Sequence, residues 1–307
     1  MCILRINIKE STMLILGIES SCDETGLALY SEDHGLIAHL VNSQIDLFTE
    51  YGGVIPEIAA RDHSAKIIGI LKQLLKQTNH KLNDIDLIAY TAGPGLIGSL
   101  MIGETVAKTI ANVLNIELLP INHLEGHILA PGLEEDGLEP PYLCLLVSGG
   151  HTQIIRCDGY GKYKIIGETI DDACGEAFDK VGKLLNLEYP GGPKVSQLAE
   201  NGDSHRFKFP RAMMKDKNLN FSFSGLKTAV LYALEDLNEG DHADVAASFQ
   251  EAVIDALTTK LTWAVQDTKI HKLVCSGGVA SNKLLRERLK QMAVNNNLEV
   301  SLSLIHI

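Results

Sequence analysis

His123 and His127 stand four residues apart in Asn122-His123-Leu124-Glu125-Gly126-His127, directly after the apolar run from Ile116 to Ile121. On a helix, residues four apart share a face one turn apart. That is how a chain offers two imidazole nitrogens to one divalent metal. The order is not that of a zinc protease, His-Glu-x-x-His, in which a Glu beside the first His is the general base. Here Glu125 follows two places after His123 and falls off the His face. Two ligands do not complete a site, and the plain alternative is a pair of ordinary histidines at a helix start.

Other stretches have residue types suited to an anion. Gly17-Ile18-Glu19-Ser20-Ser21-Cys22-Asp23-Glu24-Thr25 links the apolar run Met13–Ile18 to a second strand, Gly26–Tyr30. Strand, small polar turn, strand reads as a hairpin whose hydroxyls and N–H groups face out, with Asp23 available to a metal or a water. Leu143–Val147, Ser148-Gly149-Gly150-His151-Thr152 and Gln153–Arg156 repeat that pattern. Two such hairpins predict duplicated lobes, both turns gripping one phosphate-bearing ligand. Thr91–Ser99 is a strand-to-helix turn rich in glycine, but no Gly-Lys-Ser/Thr follows, so it is not a P-loop. In Ser276-Gly277-Gly278-Val279-Ala280-Ser281-Asn282 the glycines let backbone approach a ligand, and Asn282 can both cap the helix from Lys283 and bond that ligand.

The elements that position these residues follow from periodicity. Ile58, Ala59, His63, Ile67, Ile70, Leu71, Leu74 and Leu75 lie at helical spacing, and a long amphipathic helix runs from Ala243 to Val265. Ile170–Lys180 reads as a helix with an acidic start, its Asp171, Asp172, Glu176 and Asp179 a solvated face, with Asp179 close to the rigid turn Tyr189–Pro193. From His205 to Lys227, basic residues alternate with Phe207, Phe209, Phe221 and Phe223. That pattern fits an RNA-contact surface or, equally, a surface loop whose phenylalanines enter the core. Pro131–Tyr142 is acidic, turn-rich and aperiodic. It sets residues 13–131 as an N-terminal lobe with the metal half-site, 132–141 as linker and 142–307 as a C-terminal lobe. Residues 1–12 are an extra segment before Met13, itself a candidate start.

The 307 residues suffice for one or two domains with a large core. Twenty-seven basic and 39 acidic residues give a net charge of −12, which argues against general nucleic-acid affinity but not against a local basic patch. The six cysteines are scattered without a Cys-x-x-Cys. They are expected to be reduced thiols in a cytoplasmic protein. No stretch reaches the length of a membrane span.

Taken in order, the two hairpin turns, His123–His127, Phe178-Asp179-Lys180, Tyr189-Pro190-Gly191-Gly192-Pro193, Phe221-Ser222-Phe223-Ser224-Gly225-Leu226-Lys227 and Ser276–Asn282 resemble the bacterial-type tRNA N6-adenosine threonylcarbamoyltransferase family, the TsaD proteins. The resemblance covers Met13 to about Val300. It implies an α/β, two-lobed fold of the actin, hexokinase and heat-shock-chaperone ATPase type with a central nucleotide cleft. It implies transfer of the threonylcarbamoyl group from threonylcarbamoyl-AMP to N6 of the adenosine 3′ to the anticodon, in tRNAs reading codons that begin with A, with AMP released. It further implies one divalent metal per subunit on His123 and His127, iron in preference to zinc. Leu146, Val147, Ser148, Gly149, Gly150, Asp179, Gly192 and Asn282 are expected to hold the adenylate, and Asp23 is the candidate catalytic or orienting carboxylate. A TsaB-type paralogue and a TsaE-type ATPase are the implied partners.

One departure bears on the metal. The family's third ligand, an Asp in Cys-Thr-Asp-Asn-Gly, would fall just past Ile307, and Ser301–Ile307 does not match the family there. The expectation is a truncated or frameshifted end, weak metal binding and impaired transfer, with His306 either a substitute ligand or part of an unrelated tail. Three alternatives stand beside the transferase. A non-catalytic scaffold paralogue would hold no metal. A metalloprotease, the label O-sialoglycoprotein endopeptidase once given to this family, would cleave casein until chelated. A sugar kinase would turn over ATP but leaves the paired histidines without a purpose.

Overall fold

The structure is a computed structural model and describes residues 13–133, 138–215, 217–235 and 237–302. The expected N-terminal extra segment, His306 and residues 134–137 of the expected linker lie outside them. The chain divides into two units, Met1–Gln44 with Val54–Leu124, and Ile45–Gly53 with Glu125–Ile307.

In the first unit β1 (Leu14–Glu19), β2 (Glu24–Ser31) and β3 (Gly35–Ser43) form an antiparallel meander. The five-residue helix α1 (Ile45–Thr49) belongs with the second unit. Then come α2 (Pro56–Thr78), β4 (Leu87–Gly93), α3 (Ile97–Leu114), β5 (Glu117–Asn122) and α4 (His123–Leu129). The sheet order is β3-β2-β1-β4-β5, so β5 is an edge strand, and β1, β4 and β5 run parallel. Leu14, Leu16 and Ile18 alternate inward along β1 and meet Ile67, Leu71 and Leu74 of α2 and Ala107, Ile110 and Ala111 of α3. Proline opens α2, where a missing N–H costs nothing, and Asn79 closes it in the left-handed region with its N–H on the last carbonyls. Small residues bring α3 against the end of β1: a Cβ on Gly103 would lie 2.3 Å from Ser20 Oγ, which itself donates to the Ser99 carbonyl at 2.9 Å.

The second unit repeats the plan with β6 (Tyr142–Val147), β7 (Thr152–Gly159), β8 (Lys162–Glu168), α5 (Cys174–Leu184), α6 (Gly191–Ala199), α7 (Ser224–Leu234), α8 (His242–Thr268), β9 (Lys272–Ser276), α9 (Lys283–Asn296) and β10 (Glu299–Leu302). Its sheet order, β8-β7-β6-β9-β10, matches that of the first unit strand for strand. The expected duplication is therefore real at the level of topology. All six residues of β6 are buried, which accounts for its unbroken apolar sequence.

One pair of alternatives is decided here and one expectation changes. Phe209, Phe221 and Phe223 are buried in the second unit's core, with Phe207 packed against it, and Arg206 and Arg211 are paired with Asp241, Asp244 and Asp255. The interleaved phenylalanines are core residues, not stacking platforms for bases. The acidic helix begins at Cys174 rather than Ile170, and Asp171 is not part of its face. Its carboxylate accepts from Ser222 Oγ at 2.6 Å, Phe223 N–H at 2.8 Å, Ser224 Oγ at 2.8 Å and Ser224 N–H at 3.3 Å. It therefore caps α7 from 53 residues away in sequence. Burial works to raise this carboxyl, but the bonds from Ser222, Phe223 and Ser224 outweigh it and hold the group below its ordinary 3.8. Asp171→Ala is expected to cost about 1 kcal/mol, as lost caps do. The contribution is full above pH 3.8 and fades as pH falls through the lowered native value. In unfolding curves the gap between variant and parent should therefore close below pH 3.8.

Candidate functional site

Parallel strands β1, β4 and β5 lie side by side and end together, and each delivers one residue there: Glu19, Thr91 and His123. Ligand groups in open α/β sheets gather at such carboxyl ends. Glu19 and His123 are both mostly buried. The Glu19 carboxylate accepts from Ser21 N–H at 2.6 Å and from Thr91 Oγ1, and its Oε2 lies 3.3 Å from His123 Nδ1. Ser21 Oγ is 3.2 Å from the same nitrogen. A carboxylate only accepts, so Nδ1 carries a proton and donates to it. Burial alone would raise the Glu19 carboxyl. The hydrogen bond and charge of His123, with the bonds from Ser21 and Thr91, hold it down at about 2. Glu19 was not singled out from sequence, because its partners stand 72 and 104 positions away.

The turn that follows Glu19 is equally constrained. Cys22 is exposed, yet desolvation of its sulfur and the charges of Asp23 and Glu19 push the thiol up to about 12. It stays protonated and is no nucleophile at neutral pH. Asp23 is half-buried, and its carbonyl accepts from Gln44 N–H at 3.0 Å. Burial, then the charges of Asp23 and Glu19, raise the Glu24 carboxyl above its ordinary 4.5. One turn thus holds a carboxylate kept ionised and another pushed toward the neutral acid, the arrangement from which acid–base pairs are made. Glu24 was also missed, although three acids within six residues were a visible signal.

His123 and His127 both lie on α4, as the spacing required, and Asn122 Oδ1 caps the start of that helix by accepting Leu124 N–H at 2.9 Å. A carboxylate on Nδ1 is the outer partner that a metal-bound histidine has, and it orients the His123 ring for ligation through Nε2. The donor set thus fits two of a metal's ligands. Among the described residues, no group of three or more His, Cys, Asp and Glu is arranged to hold an ion.

The residues expected to hold an adenylate all fall in the second unit and form a closed ring of contacts. Leu146 and Val147 are wholly buried at the end of β6, so they position the Ser148–Gly150 turn rather than reach out of it. In that turn Ser148 N–H donates to His151 O at 2.8 Å, and Gly149 and Gly150 are exposed. Gly175, opening α5, donates its N–H to Ser148 O at 3.1 Å. Asp179, one turn further along α5, accepts Gly192 N–H of α6 at 3.2 Å. Ser196 of α6 accepts from Asn282 Nδ2 at 2.8 Å. The ring closes at Gly277, where φ is +94° and a Cβ would lie 2.4 Å from Val147 O. Asn282 caps α9 as expected, through Leu285 N–H at 3.0 Å, and its amide also donates to Gln250 Oε1 at 2.7 Å. With Ser196 and Gln250 taking both its protons, the Asn282 side chain has only acceptor capacity left for a ligand.

A family model described as tRNA N6-adenosine threonylcarbamoyltransferase (TsaD) matches residues 35–305. Curated proteins of that name from Methylobacillus flagellatus and Herminiimonas arsenicoxydans are each 50% identical over 292 residues, covering 94% of this chain and 86% and 85% of theirs. Among solved structures, HypF from T. kodakarensis matches at TM-score 0.64 and 16% identity, over 95% of this chain and 46% of its own. Component A of the Acidaminococcus fermentans (R)-2-hydroxyglutaryl-CoA dehydratase matches at TM-score 0.55 and 13% identity, over 95% of this chain and 92% of its own. At such identities these structures establish the fold, the α/β actin-like ATPase type, and nothing more.

Proposed function

The chain belongs to the tRNA N6-adenosine threonylcarbamoyltransferase family, and we infer that it draws the threonylcarbamoyl group from threonylcarbamoyl-AMP, releases AMP, and acts on the adenosine 3′ to the anticodon in tRNAs reading A-starting codons. It is an acyltransferase that modifies tRNA, and the observation that carries this is half-identity to curated transferases over 94% of the chain. The finer reading draws its support from residue chemistry. An exocyclic adenine amine is a weak nucleophile, because its lone pair is delocalised into the ring. Its partner must therefore be an activated acyl group with a good leaving group, which a mixed anhydride with AMP provides.

In this reading the ring from Ser148 to Asn282 holds the adenylate, with Asp179, Gly192 and the Ser148–Gly150 backbone as its contacts and Leu146 and Val147 as their support. Asp23 orients the reacting groups. His123 and His127 would hold one divalent ion, iron in preference to zinc, which when bound supplies Lewis-acid polarisation of the acyl carbonyl. The single-stranded anticodon loop offers an unstacked base, as sequence-specific RNA recognition prefers. The partners are a TsaB-type paralogue and a TsaE-type ATPase, and the setting is the cytoplasm. Among the described residues, no helix is long and apolar enough to cross a membrane.

The test is reconstitution of the full chain with unmodified tRNA, threonylcarbamoyl-AMP and the two partner proteins, with nucleosides read by mass spectrometry. The expected result is threonylcarbamoyladenosine formed with one AMP per nucleoside. AMP release without the nucleoside would sink the reading of the acceptor, and full activity with the partner proteins left out would sink the reading of the partners. Chelation followed by added iron or zinc reads the metal half-site in the same assay.

A further inference from the structure

We propose that His63 is a positioning residue for the transfer reaction: a wholly buried imidazole that clamps both flanks of Asp23 and fixes where its carboxylate points. The proposal rests on the reading of Asp23 as the orienting carboxylate.

His63 lies on the buried stripe of α2, between Ala59 and Ile67, and is 0% exposed. An apolar side chain would fill that place without a desolvation cost, whereas a buried imidazole is tolerated only when its nitrogens are bonded. Both are. Nε2 lies 2.9 Å from the Cys22 carbonyl, and Nδ1 lies 2.7 Å from Oγ1 of Thr25, itself fully buried. A carbonyl only accepts, so Nε2 carries the proton and Nδ1 accepts from the threonine hydroxyl. The ring is therefore bonded at both nitrogens, with its two bonds on either side of Asp23, one residue before it and two after.

A rigid ring on a 23-residue helix sets those two points with little freedom. Two further bonds complete the clamp, Gln44 N–H to Asp23 O at 3.0 Å and Ser99 Oγ to Cys22 O at 3.4 Å. Holding a reacting group to within a fraction of an ångström is what such support achieves, and a misplacement of about 1 Å can cost about 100-fold in rate.

The test uses the full chain, with steady-state transfer to tRNA measured for His63→Leu, His63→Gln, Thr25→Val and Asp23→Asn, and for His63→Leu combined with Asp23→Asn. His63→Leu keeps the volume and leaves the Cys22 carbonyl and Thr25 hydroxyl without the ring. It is expected to lower kcat about 100-fold with KM for tRNA and donor within about threefold. His63→Gln, which can both donate and accept, should restore kcat to within about tenfold of the parent. Thr25→Val, isosteric and lacking one bond, should lower kcat about tenfold. If His63 acts through Asp23, adding His63→Leu to Asp23→Asn should cost less than about threefold more.

Full kcat in a folded His63→Leu chain would overturn the proposal, as would full additivity in the double variant. Should His63→Leu not fold, Thr25→Val decides, and unchanged kcat there overturns it too. Impaired Asp23→Asn beside unaffected clamp variants would reject the clamp alone. Full transfer by Asp23→Asn would reject the reading of Asp23 and the clamp with it.

Discussion

Glu19→Gln is expected to leave the chain folded and to lower threonylcarbamoyl transfer by about 10- to 100-fold, the range found when the outer partner of a metal-bound histidine is replaced. Glutamine keeps the size of the side chain and one acceptor oxygen. With that oxygen at the Oε1 position Ser21 N–H is still met, while Thr91 Oγ1, which donates to Oε2, would have to turn and accept from the amide. What changes is the group facing His123 Nδ1, now 3.3 Å from a carboxylate oxygen. An amide NH2 there would donate, so Nδ1 would have to accept and the ring proton would move to Nε2. A neutral imidazole protonated on Nε2 cannot ligate through that atom. Glu19→Gln should therefore lose metal retention on gel filtration, read by elemental analysis, together with activity. Glu19→Ala differs in kind. It leaves a buried N–H, a hydroxyl and an imidazole without their acceptor, and about 3 kcal/mol of stability should go with them. A Glu19→Gln chain that retains both metal and rate would show that the carboxylate does not set the ring's tautomer.

Lys260→Met is expected to cost roughly 3 kcal/mol in chemical unfolding and to expose the segment from Met213 to Asn218 to protease. Lys260 is 0% exposed. Its ammonium donates to the Met213 carbonyl at 2.8 Å and the Asn218 carbonyl at 2.9 Å, and it lies 5.4 Å from the centre of the Trp263 ring and 5.8 Å from that of Phe221. Met213 and Lys217 have φ of +56° and +47°, a region that non-glycine residues occupy at a cost of order 1 kcal/mol or more each. The lysine's two bonds help hold the backbone at Met213 and at Asn218. Methionine would fill the space but leave both carbonyls unmet. Burial lowers the Lys260 pKa from 10.5. Between the lowered native value and 10.5 the unfolded chain binds more protons than the folded one, so the parent gains stability as pH rises through that interval. The gap between parent and Lys260→Met should widen there. A variant as stable as the parent would mean that the buried charge costs as much as its two bonds return.

Much of this was legible in the chain because the signals were local. The two strand–turn–strand motifs at Glu19–Glu24 and Val147–Thr152 are short-range patterns, and both became hairpins in sheets of the same order. The His123–His127 helix and the Asn282 cap were local as well. What stayed hidden depended on distant partners or weak periodicity. No residue of β3 is fully buried, and a bulge opposite Leu29 and Tyr30 interrupts its alternation, so Gly35–Ser43 carries little strand signal. Tyr189–Pro193 reads as a turn from its composition, yet Gly191 opens a helix whose Gly192 N–H is met by Asp179. The phenylalanines of 207–223 alternate with basic residues on the page, but the side of the loop that faces the core is decided by the unit as a whole. Asp171 and Glu19 bear charges that any reading would leave in solvent until their donors, 51 to 104 positions away, are placed.

Among the described residues the strand that brings His123 into place, β5, pairs on one side only, with β4. An open strand edge invites a foreign strand, and exposed apolar side chains such as Leu119 make the invitation stronger. Pro120 sits in the middle of that edge, opposite Tyr90, and the ladder to β4 continues past it to Ile121. A proline leaves such a ladder intact only when the N–H it lacks would have faced outward. The proline three residues ahead of the candidate ligand helix therefore also guards the protein against edge-to-edge aggregation. A change at Pro120 that spared the chemistry entirely could still remove the enzyme from solution.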